Sequence, residues 1–258
     1  MRLLHQADMT FCDSHLHLTR DDLSKLSEWH SAGLAGATSA TARYAEWAEA
    51  LELTQRTPSW VRFALGIHPW YLEEAPETAL EELDTLLVSH PTLAIGEIGL
   101  DFADGRNDRE RQLYWFEAQL ALASKHHRPA VLHLRRAWDY APAILVKYPE
   151  VTTVLHSFNG SREVARQLLE ALPNCYFSFG FALANPAATR QAYSSQLIPI
   201  QRLMTDSDYP FQHLPDKPSS TPADLAAILS RLAELRHESP ALLAAQIAEN
   251  WQRVFRGK

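Results

Sequence analysis

Cysteine is almost absent: Cys12 and Cys175 are the only two in 258 residues. They are far apart and in no C-x-x-C spacing, so neither a disulfide framework nor a thiolate zinc site is indicated, and a reducing compartment is expected. Glycine is scarce at nine residues. No G-x-G-x-x-G follows a strand and no G-x-x-x-x-G-K-S/T occurs, which excludes a Rossmann dinucleotide site and a Walker-type phosphate loop; the Gly96 and Gly99 pair has no third glycine. Positive charge is also short, with 24 Lys+Arg against 31 Asp+Glu and a net charge of −7. That excludes a protein that coats nucleic acid through a broad basic surface, but not an enzyme that grips one phosphodiester. No window approaches 18 uncharged apolar residues, and Met1 to Phe11, broken by His5, Gln6 and Asp8, fails as a signal peptide. The expectation is a soluble, cytoplasmic protein.

What the chain does have is 46% hydrophobic positions, enough to bury a large core unaided. Eight short apolar runs rich in β-branched or aromatic residues read as strands: Met9–Cys12, Leu34–Ser39, Trp60–Leu65, Leu93–Ile98, Ala130–Leu134, Val151–Leu155, Cys175–Phe181 and Arg202–Thr205. Between them lie helical spacings such as Tyr44, Trp47 and Leu51, or Leu113, Phe116 and Leu120. Near the C-terminus, Thr221-Pro222 with Asp224, and Ser239-Pro240, each pair a capping hydroxyl with a proline suited to a first helical turn. Alternation of this kind predicts an α/β fold with a parallel sheet, as a TIM-type (β/α)8 barrel, regular or distorted, occupying residues 1–258 as one domain. An open doubly wound sheet is the alternative. The stretch Leu214–Pro222 reads as a loop over a site.

In a barrel the active face lies at the C-terminal ends of the strands. Asp13, His15 and His17 follow the first run, His68 the third, Glu97 ends the fourth, His133 the fifth, His156 the sixth and Asp206 the eighth. His15 and His17, two apart, would present both imidazoles to one side as a pincer for a metal; a solvated histidine pair is the alternative. Joined by Glu97, His133, His156 and Asp206, they suit a binuclear site for divalent ions, with Glu97 offering one oxygen to each. His68 reads as a contact to substrate or leaving group, or else as a capped loop histidine. Arg135 could hold a phosphate bidentately or form an ion pair on the barrel lip. Asp101 and Asp104 read as solvated or else as supporting the ligands from behind, Cys12 as packed core, and His5, His30, His90, His213 and His237 as surface residues. His126 and His127 end a helix and carry no chemistry. Gly66, Gly96, Gly99, Gly160 and Gly180 cluster at the strand ends, where backbone bends sharply or approaches a ligand; ordinary turn geometry would also place them there.

These pieces together resemble the TatD family of metal-dependent deoxyribonucleases, within the wider amidohydrolase-like barrels. The matching motifs are Asp13-Ser14-His15-Leu16-His17, Gly66-Ile67-His68-Pro69, Gly96-Glu97-Ile98-Gly99-Leu100-Asp101, Arg109 to Gln119, Leu132-His133-Leu134-Arg135, His156-Ser157-Phe158-Asn159-Gly160-Ser161, Thr205-Asp206 and Asn250 to Phe255. The resemblance implies that His15, His17, Glu97 and Asp206 hold one ion and Glu97, His133 and His156 the other. It implies two divalent ions per chain (magnesium, manganese or zinc) and hydrolysis of DNA or another transiently bound phosphodiester. An activated water would attack phosphorus, with Asp206 orienting or deprotonating that water, Glu97 in the catalytic centre and His68 near the phosphate; Arg135, from its place two residues past His133, joins His68 as a candidate substrate contact. No membrane and no obligate protein partner are indicated.

One departure stands out. The family carries glutamate two residues before the strand-eight aspartate, within Glu-Thr-Asp, where this chain has Met204-Thr205-Asp206. Asp208 could substitute in part, from a loop beyond the strand. Basic residues after Asp206 are sparse, with Lys217 the only one before Arg231. Beside the nuclease reading therefore stand a related hydrolase of a small amide, ester or lactone, and a non-catalytic metal-binding barrel.

Overall fold

The computed structural model describes residues 10–103 and 108–256; His5, Met9 and Asp104 lie outside them. Eight strands alternate with helices: β1 (Phe11–Leu16), β2 (Leu34–Ala40), β3 (Val61–Leu65), β4 (Ala94–Asp101), β5 (Ala130–Arg135), β6 (Thr153–Leu155), β7 (Cys175–Phe179) and β8 (Leu203–Thr205). The α-helices are α1 (Leu26–Ser31), α2 (Trp47–Arg56), α3 (Ala79–Ser89), α4 (Arg109–Lys125), α5 (Ala141–Leu145), α6 (Arg162–Ala171), α7 (Thr189–Leu197), α8 (Leu225–Arg236) and α9 (Pro240–Phe255). The strands run parallel in sequential order from β1 to β8. A doubly wound sheet would reverse its order at a switch point, so this is the barrel. Its seam is closed by contacts between the first and last strands: Thr205 Oγ1 donates to the Cys12 carbonyl at 2.8 Å, and the Asp13 carboxylate accepts from Ser207 N at 3.0 Å and Ser207 Oγ at 2.5 Å. Higher up, Asp208 N donates to His15 O at 3.0 Å and His17 N to Tyr209 O at 2.8 Å.

Alternation sorts the strand residues into two cores. One face packs outward on the helices, with Phe63, Ile95, Leu132 and Phe177 against residues such as Leu53, Leu83 and Leu120. The other fills the lumen with one side chain per strand: Cys12, Ala40, Ala64, Ala94, Val131, Val154, Tyr176 and Met204. Here α9 closes the layer with Trp251, Val254 and Phe255. Trp251 Nε1 donates to Thr38 Oγ1 at 2.9 Å, and its ring lies so close to Gly36 that a Cβ there would sit 2.6 Å from it. Cys12 is packed core as expected, and burial pushes its thiol up to about 12.

Two insertions position the chemistry. Asp13 pairs with Ala37 and Leu16 with Ser39, three steps in β1 against two in β2. In β4, Ile95 pairs with Ala130 and Ile98 with Leu132, again three against two. Each extra residue shifts the alternation by one, a β-bulge. Leu16 and Ile98 therefore pack outward, while His15 and Glu97 beside them turn into the barrel mouth. The Leu214–Pro222 stretch closes on itself, with Leu214 N donating to Ser220 Oγ at 3.0 Å, and lines none of the cavity at the mouth; Asp208 and Phe211, just upstream, do. The α8 start has the expected reciprocal cap between Thr221 and Asp224, whereas Ser239 makes no side-chain cap before Pro240. Among the described residues no helix is long and apolar enough to cross a membrane.

Candidate metal centre

The mouth holds a cavity of about 320 Å³ lined by His17, Ala42, His68, Trp70, Tyr71, Glu97, His133, Asp208 and Phe211. Glu97, nearly fully buried, stands at its centre with its two oxygens serving different imidazoles. Oε2 lies 3.5 Å from the Nε2 atoms of both His15 and His17. Oε1 lies 2.8 Å from His156 Nε2, 3.0 Å from His133 Nδ1 and 3.7 Å from His68 Nε2. Asp208 Oδ1 completes the first side, 3.5 Å from His15 Nε2 and 3.5 Å from His17 Nε2. Three donor groups result: His15, Glu97 and His156; His15, His17 and Asp208; His68, Glu97 and His133.

The outer hydrogen bonds decide which ring nitrogens can act as ligands, because a neutral imidazole has one N–H and one lone pair. His17 Nδ1 lies 2.9 Å from the Ala40 carbonyl, so it carries the proton and turns the Nε2 lone pair inward. His133 Nε2 lies 3.1 Å from Asp101 Oδ2, which leaves the Nδ1 lone pair facing Glu97. His68 is the reverse: its Nδ1 accepts from Trp70 N at 3.1 Å, so Nε2–H points a donor into the cavity. Both nitrogens of His15 and Nδ1 of His156 are buried without a hydrogen-bond partner. Lone pairs of two imidazoles aimed at carboxylate oxygens need a proton or a cation between them, so these residues fit divalent ions.

The electrostatics agree. Burial works against ionised Glu97, but the ring of imidazoles around it outweighs that and holds the carboxyl well below its usual range. Asp208 is likewise held low, against burial, by the His15 and His17 imidazoles that face it at 3.5 Å. Burial disfavours charge on His15 and His133, yet Glu97 and Asp208 hold His15 well above its ordinary value, and Asp101 with Glu97 lifts His133 to about 9. His68 goes the other way, to about 3, because burial and the neighbouring imidazoles overcome Glu97. It is a neutral donor.

The structure brings together His15, His17, His68, Glu97, His133 and His156, as the sequence predicts. Asp206 it places elsewhere: the carboxylate is in none of the three donor groups and accepts from Ser157 N at 3.0 Å and Ser157 Oγ at 2.7 Å. Asp208 occupies the mouth instead, on a left-handed backbone (φ 50°) that turns the chain back onto β1. Gln212 Nε2 links the two acids, donating to Ser157 Oγ at 3.0 Å and to Asp208 Oδ2 at 2.8 Å. The acid-x-acid spacing thus falls on Asp206-Ser207-Asp208, and Met204 lies below it in the lumen layer. Missing from the sequence reading were Ser157, Gln212 and the placement of Asp208; the signal for the last was that spacing, two residues further on.

Of the two readings of Asp101, the structure takes the one behind the ligands and not the solvated one: it is fully buried behind His133, accepting from Trp70 Nε1 at 2.8 Å and Ala103 N at 2.8 Å. Burial would raise it, but His133 and the Ala103 amide bring it to about 2. Arg135 is exposed on the lip, with Nη1 3.8 Å from Asp101 Oδ2. Asp13, expected past the first strand, is mid-strand at the barrel seam, where burial pushes its carboxyl up to about 7.

With this geometry in hand, comparison with known proteins is specific. The model of TatD-related DNases matches residues 12–256. The 3'-5' ssDNA/RNA exonuclease TatD of Erwinia billingiae is 31% identical over 245 residues, covering 92% of this chain and 93% of that protein. The metal-dependent hydrolase YjjV of Escherichia coli is 28% identical over 260 residues, covering 95% and 97%. The crystal structure of YjjV superposes with a TM-score of 0.88 over 95% of this chain and 98% of its own, and a TatD family hydrolase from Entamoeba histolytica shares the fold with a TM-score of 0.83 at 20% identity over 97% and 99%. The chain belongs to the TatD-related DNase family of metal-dependent hydrolases.

Proposed function

We propose that this chain hydrolyses phosphodiester bonds in single-stranded nucleic acid, with two divalent ions held on the two sides of Glu97. The observation that carries the reading is the division of the Glu97 carboxylate, Oε2 toward His15 and His17 and Oε1 toward His133 and His156. In this assignment His15, His17 and Asp208 would hold one ion and His133 and His156 the other. Ions bound there supply a lowered water pKa and neutralise charge growing on phosphoryl oxygens. The protein's own groups do the rest. His68 Nε2–H is a neutral donor placed to hold a phosphoryl oxygen without competing for a metal. Asp101 fixes the tautomer of His133. Asp206 acts as a positioning residue: it clamps Ser157, and Gln212 carries that constraint to Asp208. Arg135, on the lip, is placed for a flanking phosphate. The nuclease names of the relatives support the substrate class. Met204 is a lumen residue beneath the site, and Asp208 supplies a carboxylate at the mouth, which favours the catalytic reading over the non-catalytic one.

The test is metal content per chain after purification without chelator, followed by cleavage of a labelled single-stranded oligonucleotide with magnesium, manganese or zinc. Two ions and shortened product are expected. Asp208→Asn should lose an ion and nearly all turnover, while Asp206→Asn should keep both ions with reduced turnover. No cleavage by the metal-loaded protein, with turnover of a carboxylic ester or lactone instead, would overturn the reading.

A further inference from the structure

Two large aromatic side chains are exposed on the rim of the cavity, where burial of apolar surface would ordinarily be favoured. Trp70 is 36% exposed and Phe211 69%. They stand on opposite sides of Glu97. The Trp70 ring centroid is 5.2 Å from that of His68 and 6.4 Å from that of His133, on the Oε1 side. The Phe211 centroid is 5.0 Å from that of His17, on the Oε2 side. Both line the same cavity as the ligand cluster. Trp70 is also aimed, because its Nε1–H is held by buried Asp101.

The scarcity of cations gives such rings a role. Single-strand binding usually draws much of its affinity from cations that displace counterions, but this chain carries more acid than base. Arg43, beside the lining residue Ala42, is held by Glu74 at 2.9 Å and lies 3.8 Å over the Tyr71 ring. Arg135 is 3.8 Å from Asp101. The faces of the bases, which stack on aromatic side chains whatever their identity, offer affinity beyond what Arg135 and bound ions supply.

We propose that Trp70 and Phe211 are stacking platforms for the two nucleobases flanking the scissile phosphate, an inference that rests on the phosphodiesterase reading above. A phosphate seated over Glu97 has one nucleoside on each side, and each side offers one ring. The bases must be splayed apart to reach them, so a single strand is the substrate and a paired end is not.

The experiment compares kcat and KM for an oligothymidylate with those for the same strand carrying abasic residues on both sides of the cleaved bond, with manganese present. Phe211→Ala should raise KM on the intact strand about five- to a hundredfold, and Phe211→Trp should restore it. On the abasic strand Phe211→Ala should add little, since the partner is already gone. Binding of a phosphorothioate oligothymidylate should quench tryptophan emission in the wild type, and Trp70→Phe should abolish the change. An equal Phe211→Ala penalty on both strands, or no quenching in the wild type, overturns the inference while leaving the hydrolase reading intact. Wild-type protein that cleaves neither strand with any of the three metals overturns the phosphodiesterase reading, and the platforms fall with it.

Discussion

Replacing Asp101 by asparagine removes one negative charge from behind His133 and leaves the shape of the side chain unchanged. The carboxylate now accepts three hydrogen bonds: His133 Nε2 and Trp70 Nε1 at Oδ2, and Ala103 N at Oδ1. An amide has one accepting oxygen, so its NH2 group must face an N–H donor on one side or the other. Outer partners of metal-bound histidines typically contribute about 10–100-fold in metal affinity. A second effect opposes the first. In the metal-free protein His133 holds its proton up to about 9, partly because of Asp101, so at pH 7 the apparent affinity of the wild type is lowered about a hundredfold by the proton that must leave. Asp101→Asn relaxes that hold. The variant's deficit should therefore be largest at alkaline pH and shrink as pH falls toward 6.5. Zinc titrations against a chromophoric chelator between pH 6.5 and 8.5, with a thermal melt to confirm folding, measure it. Wild-type affinity at pH 8.5, or a deficit that does not vary with pH, would refute the claim that Asp101 sets the tautomer and charge of His133.

Two further outcomes follow from the same geometry. In chelator-stripped protein the depressed Glu97 and Asp208 contribute stability present above about pH 4.5, lost as pH falls through their lowered pKa values. The raised His133 contributes stability present below about 6.5, lost as pH rises through about 9. The stripped protein should thus melt highest between those limits, and the extra stability from metal should grow from pH 6.5 to 9; a constant difference in Tm between loaded and stripped protein would contradict this. Gly99, opposite His133 in the β4–β5 pairing, has φ +151°, and a Cβ there would lie 1.9 Å from the His133 carbonyl. Gly99→Ala should cost about 3 kcal/mol or more in urea unfolding, and a loss under 0.5 kcal/mol would show that the two strands do not approach in this way.

The barrel was legible because its strands are buried on both faces, which compels continuous apolar runs, and each of the eight observed strands overlaps a predicted one. The errors were not spread evenly. Predicted to stop at Cys12, the first strand continues to Leu16, and the fourth, predicted to stop at Ile98, runs on to Asp101. These are the two strands that carry a bulge and the Asp-Ser-His and Glu-Ile-Gly-Leu-Asp stretches of the site. Polar residues and broken alternation make such a stretch look like the end of a strand. Ladder hydrogen bonds to β2 and β5 keep it one.

The same reasoning explains why the imidazoles converge and Asp206 does not join them. His133 and His156 lie two residues beyond the lumen residues Val131 and Val154, so period two alone turns them into the mouth. Asp206 has the same relation to Met204, and the rule duly points it inward, but Gly180 leaves space beside it and Ser157 captures both oxygens. Asp208 lies beyond any periodic element. Its position depends on a left-handed residue, on its own N–H reaching His15 O, and on Gln212 holding its outer oxygen. The first and last are local, but the second joins Asp208 to a residue about 190 positions away in sequence. A strand-end rule points to the first acid it meets, whereas the seam between β1 and β8 carries Asp208 to the mouth. Exchanging their assigned roles is therefore the most direct trial of the site: if Asp206→Asn released an ion and Asp208→Asn did not, the seam would not be what aims the ligand, and the periodic reading would stand.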